Sequence, residues 1–370
     1  MEIGKGGQYD KEKESIAYRR KTLTITRDNE QPKPIIKESK EDITERIDAV
    51  TKIDAMRIIL GGIQPPPKSV KIELTSKCNL RCKYCAVRTR KGKSADMDMW
   101  LFRKITEDMR MSGVEEIGLF FLGEPFMSPD ILYEATVWCK QHLKFPYVFV
   151  TSNAVQAKST VVAKIMAAGL NSLKWSINSC DPEQFKDITG GSEEKFDRIF
   201  ENIKNTYEYR NKYNFPTRLY ASSILYEGEQ RDRMQKLLDE KVIPYVDKHY
   251  WLPLYQMSMY RDKIEKEMGY VPTAGNMGRL DDKTMQPTRN PLPCWTAFTE
   301  GHVRVDGGLS ACCFGSDDRF DMGMLDGTNF MHQWNSVKFQ KLREAQLKTI
   351  GDGQDALIGT PCEVCVAYDT

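Results

Sequence analysis

Three features that would place the chain in a common class are missing from its sequence. No apolar stretch approaches the roughly 20 residues of a membrane-spanning helix, and the start, MEIGKGGQYDKEKES, lacks the apolar run of a secretory signal. The net charge is only +2, from 54 Lys and Arg against 52 Asp and Glu, so the basic surplus of nucleic-acid-binding proteins is missing too. We therefore expect a cytoplasmic protein with neither a membrane nor a nucleic acid as its partner.

Cysteine, by contrast, is plentiful, with ten in 370 residues. In a reducing compartment such cysteines are metal ligands or catalytic thiols more often than disulfides. Three are clustered early in the chain, at Cys78, Cys82 and Cys85. Five more fall in the last quarter, at Cys294, Cys312, Cys313, Cys362 and Cys365, and Cys139 and Cys180 stand alone. This distribution predicts two metal centres.

Residues 67–258 alternate between short apolar runs and segments with helical periodicity. The predicted strands are 69–76, 115–123, 147–153, 172–178, 217–225 and 248–256. This alternation predicts an α/β fold with parallel strands, whose active site lies at the carboxyl ends of the strands. We expect a charged extension at 1–66 with one amphipathic helix (43–60), and a connecting segment at 259–285. Residues 286–370, rich in Gly, Asp and Cys, predict a small Cys-rich α+β domain.

The first cysteine group directly follows the first predicted strand. The segment KCNLRCKYC (77–85) places three thiols in C-x3-C-x2-C spacing. Three thiolates on one loop can hold three irons of a [4Fe–4S] cube and leave the fourth without a protein ligand. A vacant position of this kind is what a catalytic metal site keeps for a chelating cofactor. A structural zinc would instead need four protein ligands, and the sequence near this loop offers no His or fourth Cys.

This motif, with Tyr84 before its last Cys, resembles the signature of the radical S-adenosylmethionine superfamily, and the resemblance covers residues 68–258. The resemblance implies a partial (β/α)6 barrel in which Cys78, Cys82 and Cys85 hold a [4Fe–4S] cluster. It implies that S-adenosylmethionine chelates the open iron and that Tyr84 lies against the adenine. An injected electron would then cleave the sulfonium to methionine and a 5′-deoxyadenosyl radical.

Three further segments are similar to motifs of the same family. LGEP (122–125) resembles the GGEP motif, which binds the methionine amino group, with Leu in place of the first Gly. TSN (151–153) resembles the TNG-type strand end, and SIN (176–178) resembles the strand whose polar residues contact the ribose. The resemblance thus adds five candidate cofactor-binding residues, namely Gly123, Glu124, Asn153, Ser176 and Asn178. Ordinary turns and strand caps are the alternative interpretation of these segments.

The second cysteine group has the spacing C-x17-C … C-x2-C, formed by Cys294, Cys312, Cys362 and Cys365. The segment HVRVDGGLSACC (302–313) predicts a β-hairpin with a Gly-Gly turn. Alone, these four thiols would predict a zinc ribbon. Beside the first motif they resemble the twitch or SPASM-like domain, in which four cysteines hold an auxiliary [4Fe–4S] cluster. Strand alternation places only one of Cys312 and Cys313 toward that cluster; the sequence leaves open which, and we assign Cys312.

Two of the remaining thiols are candidate hydrogen donors, Cys180 after the fourth predicted strand and Cys313 beside the second group. In radical epimerases a thiol donates a hydrogen atom to the substrate radical, whereas in radical dehydrogenases the auxiliary cluster accepts an electron. A lone Cys is more commonly packed and inert, which is the default for Cys139. His249 and His302 have no visible partners in the sequence, so neither is assigned as a base.

The leading hypothesis is a radical S-adenosylmethionine oxidoreductase or epimerase. It would abstract hydrogen from a polar metabolite such as an amino sugar or aminocyclitol, and so dehydrogenate or epimerise it. One alternative is a peptide-modifying enzyme, either an epimerase or a cross-link former; another is a non-catalytic zinc-binding protein. The implied cofactors are S-adenosylmethionine and two [4Fe–4S] clusters. The implied partners are a small-molecule or peptide substrate and a reductant of the flavodoxin or ferredoxin type.

Overall fold

A computed structural model of the chain describes residues 42–49, 63–90, 93–253, 278–288, 292–315, 318–363 and 365. All of them belong to one compact unit, Pro34–Thr370. The strands in this part of the chain are β1 (Ser69–Ile72), β2 (Glu116–Gly118), β3 (Tyr147–Ser152), β4 (Ser172–Ser176), β5 (Arg218–Ile224), β6 (Lys248–Leu252), β7 (Glu300–Val303), β8 (Gly308–Ser310) and β9 (Asp321–Met324). They form one sheet in the order β6-β5-β4-β3-β2-β1-β7-β8-β9.

Helices alternate with the first six strands, as the sequence predicts for parallel β/α units. The described helices are α1 (Ile43–Ala49), α2 (Met99–Met111), α3 (Pro129–Val137), α4 (Ser159–Ala167), α5 (Pro182–Thr189), α6 (Glu193–Lys212), α7 (Gly228–Lys241), α8 (Thr296–Thr299), α9 (Phe330–Trp334) and α10 (Val337–Asp352). Within the described residues, none of them combines the length and the apolarity needed to cross a membrane. The eight-residue helix α5 was not predicted; it begins with Pro182 after the N-cap Asp181.

The two faces of the strands differ in chemistry, because one packs in the hydrophobic core and the other lines the barrel interior. Val70, Leu173 and Trp175 are fully buried on the outer face, in the hydrophobic core. Full burial of one such side chain contributes about 1.5–3 kcal/mol of stability. Alternate positions, such as Lys71 and Lys174, line the interior instead. Strands β1 to β6 pair in parallel, and among the described residues the sheet ends at β6 and β9 without closing. The predicted partial barrel is confirmed.

Helix α1 lies at the amino ends of the strands. Arg46 forms an ion pair with Glu116 of β2 (2.5 Å) and its guanidinium lies 3.3 Å from the centre of the Tyr147 ring. Lys248 Nζ of β6 donates a hydrogen bond to Thr44 Oγ1 (2.7 Å). The helix therefore covers the amino-terminal end of the barrel. The rest of the helix predicted at 43–60 lies outside the described residues, as does most of the connecting segment predicted at 259–285.

The predicted hairpin is present, and it also extends the barrel. Strands β7 and β8 are antiparallel, and Gly307 in the turn between them has φ +86°, a conformation that favours glycine. Strand β7 pairs in parallel with β1, with Ser69 opposite Glu300 and Ile72 opposite Val303. The sequence did not predict this pairing. Because of it, the Cys-rich region contributes its first strand to the same sheet as the barrel.

Candidate active site

The first three thiols lie on the loop after β1, close enough to affect one another electrostatically. Burial raises the pKa of Cys82, and the negative charges of Cys85 and Cys78 raise it further. The pKa of Cys78 is raised to about 12 by burial first, then by Glu124, with a smaller contribution from Cys85. Three thiolates so placed need a compensating cation, because burial and mutual repulsion both oppose their ionisation. Thiolate donors on one loop fit an iron–sulfur cluster.

The end of α5 is hydrogen-bonded to this loop. The Arg81 N–H donates to Thr189 O (2.8 Å), and the Lys83 N–H donates to Ile188 O (2.9 Å). Tyr84 and Ile188 form a buried apolar cluster against which Cys82 and Cys85 pack. The cysteine loop is thus fixed by a helix that the sequence pattern did not reveal.

The segment 122–125 packs against the same loop. A Cβ on Gly123 would lie only 1.9 Å from Thr75 O, so no other residue fits there without moving the backbone. The Glu124 N–H donates to Lys77 O (2.9 Å), and the Glu124 carboxylate accepts from Ser152 Oγ (2.8 Å) and the Asn153 N–H (2.8 Å). Burial raises the pKa of Glu124 to about 7, against the lowering effect of these donors. The carboxylate therefore joins two strand ends, and its pairing with a ligand ammonium stays a prediction.

The other predicted cofactor-binding residues surround the cysteine loop. Asn153 Nδ2 donates to Asn79 Oδ1 (3.0 Å), and Asn178 Nδ2 donates to the Tyr84 hydroxyl oxygen (2.9 Å). Ser176 ends β4, two residues before Asn178. The structure thus brings Tyr84, Gly123, Glu124, Asn153, Ser176 and Asn178 to the carboxyl edge of β1 to β4. Their contact with the cofactor stays a prediction.

Glu73 belongs to this site, although sequence reasoning missed it. Its carboxylate is 1% exposed and accepts from the Gly123 N–H (3.0 Å) and the Val305 N–H (3.2 Å). Arg90 Nη2 pairs with it at 2.6 Å. One buried charge therefore links the cysteine loop, the 122–125 segment and the hairpin. Its position in the sequence could have indicated it. Glu73 lies two residues after Lys71 in the first predicted strand, so both side chains point to the same, interior face.

Four thiols of the second group converge near the carboxyl terminus. Burial raises the pKa of Cys362, and the charges of Cys294 and Cys365 raise it further. The pKa of Cys312 is raised by its hydrogen bond to Cys313 and by burial, and also by Cys294 and Cys365. In the described part of the chain, no three His, Cys, Asp or Glu side chains are grouped to hold a single metal ion. The donor chemistry of both thiol sets fits iron–sulfur clusters.

Cys313 lies beside Cys312 and also beside His302 and Glu300 of β7, two positions on the interior face of the sheet. A hydrogen bond from Cys312 lowers the pKa of Cys313, and His302 beside it lowers it further, whereas Glu300 raises it. The charge of Cys313 also acts on Lys174 of β4. This placement favours Cys312 as the fourth ligand and leaves Cys313 free of the set.

The two isolated cysteines are packed. Cys180 is 8% exposed, and its thiol donates to Asp181 Oδ2 (3.2 Å). That carboxylate also pairs with Arg233 of α7, the helix after β5. Burial raises the pKa of Cys180 to about 11. Cys139 is fully buried in the core. Of the two predicted hydrogen donors, the structure thus places Cys313 against the interior, while the Cys180 thiol is engaged by Asp181.

Comparisons with known proteins agree with this geometry. A family model described as the radical SAM superfamily matches residues 72–240, and the SPASM model, described as an iron–sulfur cluster-binding domain, matches residues 294–365. A probable GTP 3′,8-cyclase of Saccharolobus islandicus is 30% identical over 281 residues, which cover 70% of this chain and 86% of that protein. An uncharacterised protein of Methanocaldococcus jannaschii is 25% identical over 251 residues, covering 66% of this chain and 78% of that protein.

Two solved structures have a similar fold. Streptococcus suis SuiB bound to its precursor peptide SuiA has a TM-score of 0.54 and 14% identity, covering 89% of this chain and 76% of that one. The enzyme anSMEcpe with bound S-adenosylmethionine and Cp18Cys peptide has a TM-score of 0.54 and 13% identity, covering 81% of this chain and 88% of that one. At this identity the likeness concerns the fold alone.

Proposed function

Because the chain belongs to the radical S-adenosylmethionine superfamily and carries an iron–sulfur cluster-binding domain, we propose that it epimerises a C–H centre of a polar metabolite. When bound, the cofactors of this family supply a 5′-deoxyadenosyl radical that removes a hydrogen atom from the substrate. Cys78, Cys82 and Cys85 would hold the first cluster and leave one iron open. Cys294, Cys312, Cys362 and Cys365 would hold the second with four thiolates.

The protein's own contribution near the first cluster is positioning. Gly123 allows the backbone of its segment to approach the cysteine loop, and Glu124 fixes that segment to the end of β3. The Asn178–Tyr84 hydrogen bond fixes the aromatic ring that would lie against the adenine. Such preorganisation lowers the entropic cost of aligning a cofactor with a C–H bond.

The observation that carries the proposal is the position of Cys313. It lies beside Cys312, one of the four converging thiols, and also beside His302 and Glu300, two positions of β7 on the interior side of the sheet. If Cys312 holds a cluster as a thiolate, it no longer donates the hydrogen bond that lowers the pKa of Cys313, so Cys313 can keep its proton. A thiol there can return a hydrogen atom to a substrate radical: the S–H bond breaks and a C–H bond forms. The sulfur radical that remains takes one electron from a flavodoxin- or ferredoxin-type reductant and one proton, which restores the thiol.

Deuterated water tests this proposal, because a thiol exchanges its hydrogen with solvent. Reconstituted enzyme, S-adenosylmethionine, reductant and candidate polar metabolites should give a product with one added deuterium and an unchanged skeleton. Cys313→Ala should still form 5′-deoxyadenosine but no deuterated epimer. Cys180→Ala, the control, should still form the deuterated epimer. Deuterated epimer from Cys313→Ala would contradict the assignment, and a product lighter by two hydrogens would indicate dehydrogenation instead.

A second candidate is cyclisation of GTP, favoured by the 30% identity to a probable GTP 3′,8-cyclase over 86% of that protein. Incubation with GTP tests it directly: loss of the guanine H8 resonance in the proton NMR spectrum would favour the cyclase. Modification of a peptide stays the alternative for substrates outside both classes. Incubation with a peptide library and mass spectrometry would detect it.

A further inference from the structure

The interior of the barrel contains a cavity of about 220 Å³ below the candidate site. Its lining carries four cationic side chains and two carboxylates, which leaves a surplus of positive charge. They are Arg46, Lys71, Lys174, Arg279, Glu116 and Glu300. Two of the cations have carboxylate partners in the lining itself, since Arg46 pairs with Glu116 and Lys71 pairs with Glu300.

Lys174 is the cation whose surroundings call for a ligand. Within the described residues its ammonium group makes no hydrogen bond and no ion pair, and the centre of the Tyr250 ring lies 5.9 Å from Nζ. Burial first, and then the charge of Lys71, lower its pKa to about 8, against a raising effect of Cys313. The ammonium form therefore still predominates at neutral pH. A partly buried cation that has no ion-pair partner is costly. An anion in the cavity would remove that cost.

A hydroxyl group lies beside Lys174 in the same lining. Thr151 of β3 is its cross-strand partner and faces the cavity too. In the part of the chain that the structure describes, the Thr151 hydroxyl has no hydrogen-bond partner. Ammonium and hydroxyl donors on adjacent strands are suited to oxygen atoms of a phosphate or a carboxylate.

We propose that Lys174, with Thr151 beside it, binds an anionic group of the substrate inside the barrel. This inference rests on the proposed function, since it takes the bound molecule to be the substrate of the proposed reaction. The substrate class is therefore a small metabolite that carries a phosphate or a carboxylate.

Anion binding to the reconstituted enzyme tests the inference without any turnover. Calorimetric titration with inorganic phosphate and, separately, with acetate should show one site for at least one of them. Lys174→Met keeps the length of the side chain but removes its charge, and it should weaken that binding by about tenfold or more, as expected for a charge-assisted hydrogen bond. Lys104→Met, which alters a half-exposed lysine of α2, should bind as the unaltered enzyme does.

Lysine labelling of the unaltered enzyme gives a second readout that does not depend on a folded variant. An amine-reactive reagent followed by peptide mass spectrometry should show Lys174 protected by the bound anion and Lys104 equally labelled with and without it. Protection by phosphate alone indicates a phosphorylated substrate, and protection by acetate alone indicates a carboxylate. Absence of anion binding, or equal binding by Lys174→Met, overturns the inference. If the unaltered enzyme binds the anion but forms no 5′-deoxyadenosine, the proposed function is overturned and the anion site is not.

Discussion

The two thiol sets differ in number and in the way the fold supports them. The first has three thiols on the loop after β1, which is hydrogen-bonded to the segments that follow β2, β3 and β4 through Glu124, Asn153 and Asn178. The second has four thiols, held near α10, where the Cys294 N–H donates to Gln346 Oε1 (2.8 Å). A three-thiol site leaves a position for a ligand, and a four-thiol site is complete. We therefore expect the first set to carry the chemistry and the second to support it.

Replacing a thiol of the first set should have the largest effect. Cys82→Ala removes one of three ligands, so formation of 5′-deoxyadenosine should fall at least about a hundredfold, as is typical when a group essential to the chemistry is lost. Chromatographic quantification of 5′-deoxyadenosine measures this, and iron analysis should show the second set still loaded. Unchanged 5′-deoxyadenosine formation would contradict the assignment of the first set.

Replacing a thiol of the second set should separate the two roles. Cys362→Ala leaves the first set intact, so S-adenosylmethionine cleavage should persist, while iron content falls and formation of product is lost. The ratio of 5′-deoxyadenosine to product measures this uncoupling. If Cys362→Ala lowers 5′-deoxyadenosine and the substrate-derived product equally, the second set is also needed for S-adenosylmethionine cleavage.

Much of this site follows from local sequence, because each candidate residue follows a strand whose alternation is visible. Parallel strands bring their carboxyl ends together at one edge of the sheet. The TSN segment, at the end of strand 147–152, and the SIN segment, at the end of strand 172–176, therefore reach the same edge. Glu73 was missed because one of its partners, Val305, is 232 residues away. The pairing of β7 with β1 is non-local in the same sense, since neither strand alone indicates its neighbour.

Glu73 connects the surroundings of the two thiol sets, so its replacement should weaken the fold rather than one set. Glu73→Gln leaves Arg90 without its carboxylate, and breaking a buried ion pair costs about 3–5 kcal/mol. Urea unfolding should detect this loss in the free energy of unfolding. Glu134→Gln is the matched control, because its partner Arg103 is partly exposed and exposed pairs contribute about 1 kcal/mol or less. If both variants lower the free energy of unfolding equally, the Glu73–Arg90 pair contributes no more than an exposed ion pair.

His249 tests stability in a region remote from both thiol sets, the outer face of edge strand β6. Its Nε2 lies 3.1 Å from Ser223 Oγ and its ring packs edge-on against Trp251, while Asp239 raises its pKa slightly against the dominant effect of burial. Burial lowers the pKa of His249 to about 4, from 6.5. The folded state therefore binds fewer protons than the unfolded state between these values, so stability falls as the pH decreases below 6.5. The free energy of unfolding should lose about 2 kcal/mol through His249 by pH 5. Urea unfolding at pH 5 and at a pH well above 6.5 measures this loss. His249→Gln should show a smaller loss over the same range, whereas an equal loss would show that His249 does not cause the acid sensitivity of this edge.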